Sequence, residues 1–120
     1  MPLNGLAERT EVLYGTNKVI NEELHFFSKS KRHVDTCMDH TGPSFAIGME
    51  SIKRSFVDAK SRDVKLRYLT EITNANISYC KELMAMVDEV RHLDGIKGNF
   101  MVSEIESIKM LQQPHMRKQN

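Results

Sequence analysis

Hydrophobic positions along this chain change period several times, and the changes divide it into elements. A polar lead-in over 1–9, with Pro2 and Gly5, is expected to be disordered, and Thr10 to Tyr14 then suits a short extended piece closed by Gly15. Thr16 or Asn17 can cap a helix in which Ile20, Leu24 and Phe27 recur at i, i+4 and i+7 and which ends in the basic cluster Lys29, Lys31 and Arg32. His33-Val-Asp-Thr-Cys-Met-Asp alternates polar and apolar groups, predicting a short strand that runs into the loop His40-Thr-Gly-Pro. Ile47, Ile52, Phe56 and Ala59 return to helical spacing, with Glu50, Lys53, Arg54, Asp58 and Lys60 on the opposite side. Ser61-Arg-Asp turns the chain into Val64-Lys-Leu-Arg-Tyr-Leu, where Val64, Leu66 and Tyr68 face one way and Lys65 and Arg67 the other.

A third helix is predicted after a cap at Thr73 or Asn74, with Ile77, Cys80, Met84 and Val87 along its buried side. Val90 to Leu93 and Asn99 to Val102 flank Asp94-Gly-Ile-Lys-Gly, which reads as a loop between two short strands. Ile105, Ile108 and Leu111 allow a weak helix before Pro114 and a polar tail. Strands joined through a helix of this length are normally parallel, because the helix carries the chain back to the end of the sheet where the first strand began. The expected fold is therefore α/β: a small, mostly parallel sheet with helices packed on it, ordered over 10–104, followed by a divergent helix or tail over 105–120.

Composition narrows the partners. The 120 residues suffice for one core and leave no room for a second catalytic module. Seventeen basic against sixteen acidic residues produce no global field to recruit nucleic acid or an anionic membrane. Cys37 and Cys80 lie among apolar positions without metal-ligand spacing, which predicts two reduced, buried thiols and a cytoplasmic protein. No apolar run is long enough to span a bilayer, and the first fifteen residues do not read as a signal peptide.

In open parallel sheets, ligands bind beyond the carboxyl ends of the strands, where loops leave polar groups free to converge. That rule selects Asp39 and His40 after one strand and Glu71 and Thr73 after the next as candidate ligand-binding residues. A bland alternative is that Asp39 and Thr73 cap loops and helices while His40 faces solvent. A receiver-like phosphoacceptor site at Asp39 would need an acidic pair at another strand end, and Thr10 to Gly15 supplies only Glu11. His25 is followed by Phe26 and Phe27 rather than by an acidic residue, and Gly95 with Gly98 is too sparse for a phosphate loop. Phospholipase D chemistry requires His-x-Lys, but His33, His92 and His115 are followed at that spacing by Asp35, Asp94 and Arg117. No catalytic residues, metal ligands or cofactors are therefore assigned.

Val12-Leu-Tyr-Gly, Asp35-Thr-Cys-Met-Asp, the block from Ala59 to Thr73 and His92-Leu-Asp-Gly-Ile-Lys-Gly-Asn-Phe together resemble the N-terminal sensor region of archaeal sensor histidine kinases, over roughly residues 10–104. The resemblance implies half of a phospholipase D-like fold without catalytic residues, serving as a signal-input domain in a two-component system. Compared with that family, the chain looks truncated before the kinase core and incomplete at its C-terminus. The partners implied are a small-molecule ligand and a signalling protein, or self-association through an exposed sheet edge. Two other readings stand beside it: a divergent enzyme with a metal or phosphoryl site at the strand ends, and a non-functional fragment.

Overall fold

A computed structural model describes residues 10–14, 16–104 and 107–111. Six strands, β1 (Thr10–Tyr14), β2 (His33–Met38), β3 (Lys65–Thr70), β4 (Glu89–His92), β5 (Asn99–Ser103) and β6 (Ser107–Leu111), form one sheet in the order β1-β6-β5-β2-β3-β4. Among the described residues four helices accompany them: α1 (Thr16–Lys29), α2 (Gly42–Gly48), α3 (Glu50–Ser61) and α4 (Ile77–Met84). The pairs β1–β6, β2–β3 and β3–β4 are parallel, while β5 lies antiparallel to both β2 and β6. Every strand except β5 therefore runs in one direction, and the expected α/β class with a mostly parallel strand sense holds in a mixed sheet. No helix among the described residues is long and apolar enough to cross a membrane.

Alternation along the strands decides which face the helices cover. Val34, Thr36 and Met38 of β2 stand beside Leu66, Tyr68 and Thr70 of β3, and all six are buried. Ser103 and Met101 of β5 continue that face beside Val34 and Thr36. Phe26, Phe27, Ile52, Phe56, Ala59 and Leu83 pack onto it from the helices, with Phe27 and Phe56 edge to face at 5.4 Å between ring centroids. The opposite face carries the ion pair Arg67–Asp35, the half-buried Cys37 and the exposed Phe100 and Val102.

Helices α1 and α4 each bury a stripe next to the one that their apolar residues alone suggest. Along α1 and the residue after it the buried line is Val19, Glu23, Phe26 and Ser30, with Phe27 beside it and Ile20 and Leu24 only partly covered. Asn76, Cys80, Leu83 and Val87 form the corresponding line at α4, whereas Ile77 and Met84 are exposed. In each case a polar residue, Glu23 or Asn76, stands on the buried stripe and hides it from a hydrophobicity count.

Several expectations need correction. The helix expected from Ile47 to Ala59 is two helices, broken at Met49, which is extended at φ −106°, ψ 110°. Residues 107–111 form β6 rather than a helix, because a slot between β1 and β5 satisfies their backbone on both sides, and the ordered sheet thus continues past residue 104. β4 and β5 are strands as expected but do not pair with each other: β4 borders β3, and β5 borders β2 and β6. Cys80 is buried, but Cys37 points to the open face and is only half-buried; both are free thiols. The lead-in over 1–9 and the tail over 112–120 lie outside the described residues.

The turn between α3 and β3 takes the form its sequence suggests. Val64 N–H donates to the Ala59 carbonyl at 2.9 Å and Asp63 N–H to that of Lys60 at 3.0 Å, with Asp63 left-handed at φ 64°. This double bond closes a Schellman-type helix end, in which a short polar side chain can stand where glycine is usual.

Candidate functional site

The four candidate residues occupy the turns that leave β2 and β3 on the way to α2 and α4. Asp39 begins the first turn. Its N–H donates to Asn99 Oδ1 at 2.9 Å, its carbonyl accepts from Thr70 Oγ1 at 3.0 Å, and its own Oδ1 accepts from Thr41 N–H at 2.9 Å and Thr41 Oγ1 at 2.6 Å. Such an Asx turn fixes the loop that introduces α2, where Gly42 N–H donates to the Asp39 carbonyl at 2.9 Å. His40 exposes its side chain, while its carbonyl is held from the neighbouring turn.

That hold comes from Asn76. Its Nδ2 donates to the carbonyls of His40 and Glu71, each at 2.9 Å, and its Oδ1 accepts from Thr73 N–H at 2.8 Å. Thr73 answers with Oγ1, which accepts from Asn76 N–H at 3.2 Å. One amide only 4 % exposed therefore ties three of the four candidates into a single network across two strand ends. Cys80, one helical turn on, directs its thiol to Asn76 Oδ1 at 3.5 Å, and burial pushes that thiol's pKa up, so it remains a donor.

A second layer lies at the edge strand. Glu71 Oε1 accepts from Gly95 N–H at 3.3 Å. His92 Nδ1 accepts from Ile72 N–H at 2.9 Å, which leaves the proton of a neutral imidazole on Nε2, 2.7 Å from Asp94 Oδ1. His92 and Asp94 bind the loop after β4 to the turn after β3; neither was among the residues selected from sequence.

No protein-family model, curated protein or solved structure matches this chain. The chemistry must accordingly be read from the site alone. Among the described residues, no three His, Cys, Asp or Glu side chains stand together as a metal centre. The structure brings Asp39, His40, Glu71 and Thr73 to one end of the sheet, and Asp39 and Thr73 there serve as turn-forming residues. Asn76 and Asn99 were missed because an isolated asparagine before a helix or a strand reads as an ordinary cap or turn residue. For Asn76, just before α4, the local signal was its spacing: four residues before Cys80 and seven before Leu83.

Proposed function

We propose that this chain is a cytoplasmic signal-input domain, of the kind that precedes the core of two-component sensor histidine kinases, and that it takes a small polar molecule at the strand-end crevice formed by Asp39, His40, Glu71 and Thr73. The observation that carries the reading is the double donation from Asn76 to the His40 and Glu71 carbonyls, which makes the two turns one mechanical unit. A guest that displaces either turn must disturb the other and the start of α4, and a sensor requires such a connection. The two parallel strands from His33 to Thr70, joined through helices, together with the residues that resemble the kinase sensor region, support the family assignment. The alternative of a phosphoryl or metal site at Asp39 loses support from the two donors that Thr41 places on Oδ1.

The test is a thermal melt of the purified chain against divalent metals and small metabolites, since a ligand selective for the folded state raises the midpoint by mass action. The reading expects a cooperative transition that one polar metabolite raises, an effect lost in Asn76→Ala. A companion chimera replaces the input region of a sensor kinase with residues 10–104; a constitutive or dead kinase at normal expression overturns the signalling assignment. The absence of any cooperative transition favours the non-functional fragment, and a shift with divalent metal alone that Asp39→Asn abolishes favours the enzyme.

A further inference from the structure

Between α1, α2, α3 and the helix-covered face of the sheet lies a small cavity of about 10 Å³. Phe27, Phe45 and Phe56 make its apolar walls, and Glu23, Thr36 and Tyr68 bring polar atoms to it. Glu23 is 5 % exposed and Tyr68 4 %, yet neither Glu23 Oε1 nor the Tyr68 hydroxyl has a protein hydrogen-bond partner among the described residues. Buried polar atoms nearly always find partners, because one left alone has given up its hydrogen bonds to water and gained none in return. Two such atoms at one cavity, from helix and strand, require a common explanation.

We propose that this cavity is a binding site for one buried water, which joins the Glu23 carboxyl group on α1 to the Tyr68 hydroxyl on β3. The size agrees: about 10 Å³ is close to the least space that admits one water, and such waters bond to two to four polar groups. Burial holds the Glu23 carboxyl up at about 8, so near neutral pH it carries a proton that it can donate to the water. Tyr68, raised well above its ordinary value by burial and then by Glu23, is likewise an intact hydroxyl. Among the residues lining the cavity, Glu23 and Tyr68 are the titratable ones, so no lysine or arginine there competes for the carboxyl group. The water thereby fastens α1 to the strand whose end carries the crevice, and the site lies against the first residue of α2: a Cβ placed on Gly42 would stand 3.0 Å from the Tyr68 hydroxyl oxygen.

The sign of a conservative substitution tests the proposal. With a bridging water, Tyr68→Phe removes one of its partners and lowers the melting midpoint by about 3 °C or more, and the same change has little effect in a Glu23→Met background, where the bridge is already broken. With no bridge, Tyr68→Phe removes an orphan hydroxyl, and an unchanged or raised midpoint overturns the proposal, as does an equal shift in both backgrounds. Water-to-protein cross-relaxation in NMR should report a long-lived water beside the Tyr68 ring in the native chain and none in Glu23→Met. Coupling without that water signal would assign a direct carboxyl–hydroxyl bond instead, and a midpoint raised by ammonium chloride but not by sodium chloride would assign a cation; either overturns the water.

Discussion

Asn76 Nδ2 donates to the His40 carbonyl at 2.9 Å, across 36 residues of chain, and the same nitrogen serves Glu71. Asn76→Ala should destabilise the fold by about 2–3 kcal/mol in urea titrations, because Thr73 N–H and the two carbonyls lose their partner together. Asn76→Asp should be at least as damaging at pH 7, since a carboxylate oxygen would face the two carbonyls that the amide nitrogen now serves. It should recover partly in acid, where a protonated carboxyl group can donate one bond.

Arg62 plays a comparable part at the other end of the sheet. Its guanidinium donates to the carbonyl oxygens of Ser30 at 2.8 Å and Phe27 at 3.0 Å, closing the C-terminal end of α1, while Nε reaches Asp58 at 3.0 Å. A lysine carries the charge but not the planar fork that meets both carbonyls. Arg62→Lys should therefore cost about 1–2 kcal/mol by chemical denaturation, with faster amide exchange in the last turn of α1. Retention of full stability would show that charge alone suffices.

Gly42 is fixed by a close approach. A Cβ there would lie 2.4 Å from Met38 Cβ, an atom attached directly to the backbone of β2 that cannot swing away. Gly42→Ala should destabilise by about 1–3 kcal/mol, the range of overpacking, and the loss should be visible as a lowered denaturation midpoint. Gly48, with nothing within 4 Å of an added Cβ, is the control, and Gly48→Ala should avoid that loss.

Glu23 makes stability fall with rising pH. Its folded pKa of about 8 lies above the ordinary 4.5, so between those values the folded state holds a proton that the unfolded chain has released. Its contribution is complete below pH 4.5 and is lost progressively up to about 8, with a slope of up to about 1.4 kcal/mol per pH unit. Glu23→Gln should flatten the stability profile across that window.

At the acid end the opposite sign applies. For Asp88, burial raises the pKa but the Leu66 N–H, at 2.7 Å, and Lys60 outweigh it, and for Glu104 the backbone N–H groups around Lys31 and His33 do the same. Both carboxylates are lowered, so their stabilisation is present above the unfolded values and disappears as pH falls through the folded ones. Asp88→Asn should blunt the acid unfolding transition, measured by circular dichroism, while leaving the slope at higher pH to Glu23.

Local pattern was enough to locate the first helix from Thr16 to Lys29, the strands at His33 and Lys65 and the turn at Asp63, because backbone period, capping and side-chain alternation act over a few neighbouring residues. It was enough, too, to bring Asp39, His40, Glu71 and Thr73 to one end of the sheet once β2 and β3 were taken as parallel. Tertiary structure alone decided that residues 107–111 extend into a strand, since the bonds that reward this come from β1 and β5, distant in sequence. It also decided that Asn76 and Glu23 turn inward. A polar residue's burial depends on partners that no local window contains: for Asn76 the carbonyl of His40 in the turn after β2, and for Glu23 a cavity shared with Tyr68.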